Sequence, residues 1–198
     1  MLPAAAAATA WALLVAGSPR WLFLAAVPLC AIWLALSARA APPGLAARLR
    51  PRWGDLGLAL SIALLLYAGA RAFLWAGCGG VSDVLCAPLA STHARFHARG
   101  AGPALALGLL VAPAEELFWR GVVQARLAPR LGRWGAVAAA TGIAVAAALV
   151  TGEPVLALAT APTFATWGAL AAWRGSLVPS IASHAAWTVL IASVAPPG

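Results

Sequence analysis

The chain has no lysine, five acidic residues, three histidines, three cysteines, one methionine and one tyrosine in 198 residues. Charged side chains make up 9% of it and hydrophobic ones 63%. A water-soluble domain carries about a quarter charged residues, so too little polar material is present to coat a globular surface. That scarcity excludes a soluble protein. It also excludes a nucleic-acid partner, because the net charge of +8 comes from thirteen arginines set in short groups between apolar runs, not on a soluble basic face. No Cys-x-x-Cys pair, glycine-rich phosphate loop or internal repeat is present. Arginine without lysine, beside abundant Ala, Gly and Pro, reflects nucleotide composition as much as function.

What remains is apolar sequence in long runs. Stretches able to cross roughly 30 Å of hydrocarbon as helices lie at about 4–17, 21–38, 56–76, 101–125, 135–151, 155–173 and 177–195. Lipid offers the backbone no hydrogen-bond partner and the ten-residue alternation of a barrel is missing, so each span is helical. The expected fold is all-α: a polytopic transmembrane bundle of about seven spans, forming a single integral membrane domain over residues 1–198. The leading Met-Leu-Pro has no basic residue and a second span follows at once, which makes a cleaved signal peptide the weaker reading of the first span.

The arginines set the orientation. Arg39, Arg48, Arg50 and Arg52 fall between spans two and three, Arg126, Arg130 and Arg133 between four and five, and Arg174 between six and seven. With seven spans these loops share one side, so the positive-inside rule puts the N-terminus in the cytoplasm and the C-terminus outside. The opposite side carries Arg20, a long loop over 77–100 and the turn at Glu153. That long loop holds Cys78 and Cys86, while Cys30 lies within span two. Their spacing allows a bridge in an oxidising space; two small, partly buried thiols are the simpler expectation.

Span four contains Glu115-Glu116-Leu-Phe-Trp-Arg120. One charge at a bilayer centre costs about 2.5–3.5 kcal/mol on insertion scales, so three ionisable groups in six residues demand a reason. On a helix Glu116 and Arg120 share a face, with the acid N-terminal to the base, the better order for a pair. Glu115 lies about 100° round the helix. A structural ion pair between helices accounts for Glu116 and Arg120, but one arginine does not need two acids. A second carboxyl in a dry place with a like charge beside it suits a general base that takes a proton from water. Span seven carries another intramembrane titratable group, His184, with Thr188 one turn beyond it. Alone it reads as a packing residue; beside a buried di-Glu it becomes a candidate ligand, proton carrier or oxyanion donor.

Glu115-Glu116-x-x-x-Arg120, followed in the last span by Arg174-Gly-Ser-Leu and then His184, resembles the CPBP intramembrane protease family, which groups type II CAAX prenyl proteases (Ras-converting-enzyme-like) with bacteriocin-processing and immunity proteins. The similarity covers about residues 101–190, a CPBP-like core. It implies helices around a polar cavity open to the cytoplasmic side, in a multi-pass protein of the bacterial plasma (inner) membrane. It also implies an endopeptidase whose substrates are membrane proteins or lipidated peptides at the bilayer, some cut near lipidated C-terminal cysteines. Carried over, Glu115 would activate water, Glu116 and Arg120 would orient it, and His184 would stand near the developing oxyanion. The family has been described both as metalloproteases and as glutamic proteases. The reading here is that no cofactor is needed, with a divalent metal such as zinc on Glu115 and His184 as the other possibility.

Two positions depart from the family pattern. The second motif, an aromatic followed four residues later by His, falls on Ala144 and Ala148, and Thr188 stands at the usual Asn of the third motif. The only other histidines, His93 and His97, lack the Glu of a zinc-protease motif and are expected to be an interfacial or solvated pair. If they stay in the outer loop, His97 is roughly 27 Å from Glu115 along a straight helix. Two alternatives stand beside the protease: a catalytically impaired pseudoprotease that binds a membrane partner or lipidated peptide, and a small proton-coupled transporter using a Glu as its proton site and Arg120 as substrate anchor.

Overall fold

A computed structural model describes residues 39–78, 83–97, 101–150 and 152–193. The spans expected at 4–17 and 21–38, and Cys30 with them, lie outside the described residues. Every regular element among the described residues is helical: α1 (Leu45–Arg48), α2 (Asp55–Cys78), α3 (Asp83–Phe96), α4 (Ala101–Ala106), π1 (Leu107–Val111), α5 (Ala112–Glu116), π2 (Leu117–Gln124), α6 (Ala125–Val150), α7 (Pro154–Arg174) and α8 (Val178–Ser193). Three stretches are long and apolar enough to cross a membrane, Asp55–Ala76, Ala101–Val150 and Pro154–Arg174, and Val178–Ser193 is a shorter apolar helix. The protein is an all-α membrane bundle. Leu56, Leu60 and Leu64, one turn apart on α2, are exposed as a lipid-facing row.

Elements α4 to α6 run on as one hydrogen-bonded rod that Gly132 breaks with φ 70 and ψ 171, a conformation L side chains rarely adopt. The chain reverses there, so the second half of α6 returns along π2 and then packs on α7. The loop expected between spans four and five is therefore helical up to that glycine: Ala125-Arg-Leu-Ala is good helix-forming sequence, and only residue 132 needs to turn. The widened turn of π1 precedes Pro113, whose ring has no N–H to continue the normal ladder. Helix α8 packs along α2 and against α4, π1 and α5. It approaches closely because residue 108 is glycine: a Cβ there would run into the Val189 side chain and sit 2.9 Å from the Ala185 carbonyl. Leu107, Val111, Phe118 and Trp119 form a core that reaches α6 at Ala144 and α8 at Ala192.

The 77–100 segment is more than a loop. Helix α3 packs on α2, α7 and α8, with Leu89, Thr92 and His93 buried. Cys78 and Cys86 are bridged, and the Thr92 hydroxyl donates to Glu153 at 3.2 Å. The bridge overturns the expectation of two thiols, and of the interfacial or solvated histidine pair the burial of His93 removes the solvated form. Leu89, Thr92 and His93, three to four residues apart, lie on one side of the helix and set it on the bundle. His93 and His97 stack with centroids 6.5 Å apart.

At the opposite end, residues 39–54 run across the helix ends as a strap. The Arg48 carbonyl accepts from the Leu177 N–H at 2.8 Å and from the Ser176 hydroxyl at 3.3 Å, while the Val178 N–H donates to Ser176 Oγ at 3.2 Å. The strap and Ser176 thus cap two of the donors at the start of α8 that no helix can satisfy for itself. The Arg48 guanidinium reaches the Arg120 carbonyl, Arg126 the Ala40 carbonyl, and Arg52 the Arg174 carbonyl.

Candidate active site

Each element that meets at the centre supplies one polar face. In π2 the i→i+5 turn is wider than an α-turn, so residues four apart come close to eclipsing, and Glu116, Arg120 and Gln124 form a single buried row. The row lies along α7: Arg120 donates to the Phe164 carbonyl at 2.9 Å and Gln124 to the Gly168 carbonyl at 3.1 Å. From α8 and the turn that leads into it, Ser180, Ser183, His184 and Ser176 face inward, all buried. Counting 1.5 Å per residue, His184 lies about 9 Å from the start of α8 and Trp167 about 10 Å from the end of α7. The site sits nearer the arginine-rich end than the disulfide end.

The four residues singled out by charge come together here. Arg120 donates to Glu116 Oε1 at 2.8 Å, and His184 Nδ1 lies 2.9 Å from the same oxygen. A carboxylate oxygen already held by a guanidinium is an acceptor, so Nδ1 carries the proton in that bond. The other nitrogen, Nε2, faces Glu115 Oε2 at 3.5 Å. One imidazole therefore spans two adjacent carboxyls, which gives the second acid a partner of its own. Glu116 is fully buried and Glu115 and His184 nearly so, with the Ser180 side chain beside the Glu116 carboxyl.

Sequence reasoning missed the aromatic wall. Trp167 stacks on His184 with centroids 3.8 Å apart and planes 16° from parallel. Phe164 presents an edge to the same imidazole and lies 4.3 Å beneath the Arg120 guanidinium, a cation–π distance. The available signal was helical spacing in span six, where Thr160, Thr163, Phe164 and Trp167 share a face. Among ten tryptophans in apolar sequence, nothing marks Trp167 until its partner across the bundle is known. Ala144 and Ala148 are both buried, with Ala144 in the core beside which Phe164 packs.

A catalytic zinc keeps three protein ligands and an open position. Glu115 and His184 Nε2 offer two donors, Glu116 Oε1 is engaged by Arg120 and His184, and Ala148 contributes none. No group of three His, Cys, Asp or Glu converges among the described residues. The residues present do not fit a zinc centre. A buried carboxyl, an imidazole held by a second carboxylate and a guanidinium on that carboxylate are groups able to exchange a proton with water and to donate to a developing negative charge.

Comparison with known proteins finds a family match. Residues 99–190, a little under half of the 198, match the family model for Rce1-like type II CAAX prenyl endopeptidases. No curated protein matches the chain, and no solved structure does. The matched segment contains Glu115, Glu116, Arg120, Phe164, Trp167 and His184, and over it the chain is similar to the Rce1-like type II CAAX prenyl endopeptidases.

Proposed function

We propose that the protein is an intramembrane endopeptidase that cleaves a membrane-associated protein or lipidated peptide with water activated by Glu115. The observation that carries the reading is the 2.9 Å and 3.5 Å span of His184 between the two carboxyls. Glu115 takes a proton from water as the oxygen attacks the scissile carbonyl, then returns it to the leaving amine nitrogen. His184, its Nδ1–H held by Glu116, presents Nε2–H to the oxyanion, and Arg120 holds Glu116 in place. Water, acid and amine balance with no metal in any step. The arginines at one end of the bundle and the bridge at the other support a multi-pass plasma-membrane protein with the site toward the cytoplasm.

The test is cleavage of a reconstituted peptide ending in a prenylated Cys-a-a-X sequence. Wild type cuts it, Glu115→Gln does not, and equal rates in the two would end the reading. Ala148 supports a second reading, a pseudoprotease that binds the same peptide without turnover; binding by wild type with no cleavage identifies it.

A further inference from the structure

Among the described residues Trp167 is the largest fully buried side chain, 1% exposed. In a membrane helix an indole commonly sits at the interface, where its N–H meets water; this one is turned inward and finds its partner inside the bundle. Its Nε1–H donates to Ser183 Oγ at 3.2 Å, one residue before His184, while its face covers the His184 ring at 3.8 Å. The indole is thus held to the same turn of α8 that carries the imidazole it covers. Trp187 meets Trp167 edge-on at 5.6 Å, and Phe164 closes the neighbouring edge of His184.

A histidine ring turns about a broad, roughly two-fold torsion. A turn out of its plane would carry Nδ1 away from Glu116 and Nε2 away from Glu115, and a half turn has to pass through such positions, so the chemistry proposed above depends on the ring staying put. The Glu116 bond fixes one atom of the ring. A flat surface along its face fixes the plane. Span five, with small side chains at Ala144 and Ala148, contributes nothing of comparable size.

We propose that Trp167 is a positioning residue: anchored by Ser183, its indole holds the His184 imidazole in the orientation in which Nδ1–H meets Glu116 and Nε2 faces Glu115. The proposal rests on the hydrolytic reading of the site, but its central measurement does not need turnover. In protein labelled with 15N in its three histidines, His184 is assigned by its loss in His184→Gln. Wild type is expected to show a slowly exchanging Nδ1 proton and ring protons shifted by the indole. Trp167→Leu keeps apolar bulk and removes the flat face: the Nδ1 proton exchanges with water at least about tenfold faster, and kcat falls about tenfold with KM within about twofold. Trp167→Phe, which retains a flat ring, restores most of both. An unchanged Nδ1 proton in Trp167→Leu overturns the proposal, as does an equal loss of kcat in both variants. Absence of cleavage in wild type with the resonances behaving as described sinks the protease reading and leaves the positioning role standing. If Trp167→Leu does not fold, Ser183→Ala carries the test, since it releases the indole anchor without opening a large cavity: faster Nδ1 exchange supports the proposal and an unchanged rate overturns it.

Discussion

Two acids in this molecule are each held between two basic residues, and they are held differently. Asp55 starts α2 at the arginine-rich end. Its Oδ2 accepts from the Arg52 N–H at 2.9 Å, and its Oδ1 from Arg174 Nε at 3.1 Å and from a terminal Arg174 nitrogen at 2.8 Å. Both oxygens are occupied, and Arg174 remains partly exposed. Glu116 lies inside the bundle with Arg120 and His184 on one oxygen, and its neighbour Glu115 faces His184 at 3.5 Å, a distance with room to change. A carboxylate whose acceptor sites are filled by fixed donors ties two chain segments together. A carboxyl left with capacity beside a cation has something to offer a substrate. Residue type does not separate the two cases; completeness of pairing does.

The comparison breaks first at Arg120. Arg120→Met leaves Glu116 buried without its guanidinium, and removing one partner of a buried pair costs about 3–5 kcal/mol; thermal unfolding in detergent is expected to show a large loss of folded protein. Glu115→Gln separates chemistry from stability: cleavage falls about 10²–10⁴-fold while the melting temperature stays close to that of wild type. A parallel fall in both would make Glu115 a structural acid like Asp55. Ala148→His sharpens the contrast from another side. Placing an imidazole at a buried alanine costs about 1–3 kcal/mol of overpacking, and a site that runs on Glu115 and His184 gains no rate from it; a tenfold or greater gain in kcat would move the centre of the chemistry to span five. The smallest effect on turnover belongs to Asp55→Asn, which puts an amide N–H₂ where one of the two acceptor oxygens stood, costs about 1.5–3 kcal/mol of stability and leaves kcat unchanged.

The spans were legible because a membrane enforces them: 56–76, 155–173 and 177–195 differ from Asp55–Cys78, Pro154–Arg174 and Val178–Ser193 by at most two residues at each end. Helix α3 was not, since it is too short and too mixed in composition to register as a span, and its amphipathic face gains meaning only from the bundle it covers. The Cys78–Cys86 bridge is a matter of distance in space, which spacing in sequence leaves open. In the site, charge was a sufficient guide to Glu115, Glu116, Arg120 and His184, because an ionisable side chain at membrane depth is costly wherever it points. Phe164, Trp167 and Gln124 carry no such cost and blend into their helices. The contacts that distinguish them cross from one helix to the next, as when Gln124 meets the Gly168 carbonyl.

The strap at residues 39–54 bears on what counts as a unit here. Similarity to the family begins at residue 99, yet the first donors of α8 are capped from Arg48, the Arg120 carbonyl is met by Arg48, Arg174 is held by Asp55, and α8 lies along α2. A fragment cut at the start of the recognisable region would keep every residue that identifies the family and lose the supports beneath three of its helices. The part that evolution makes easy to recognise is smaller than the part that can stand by itself.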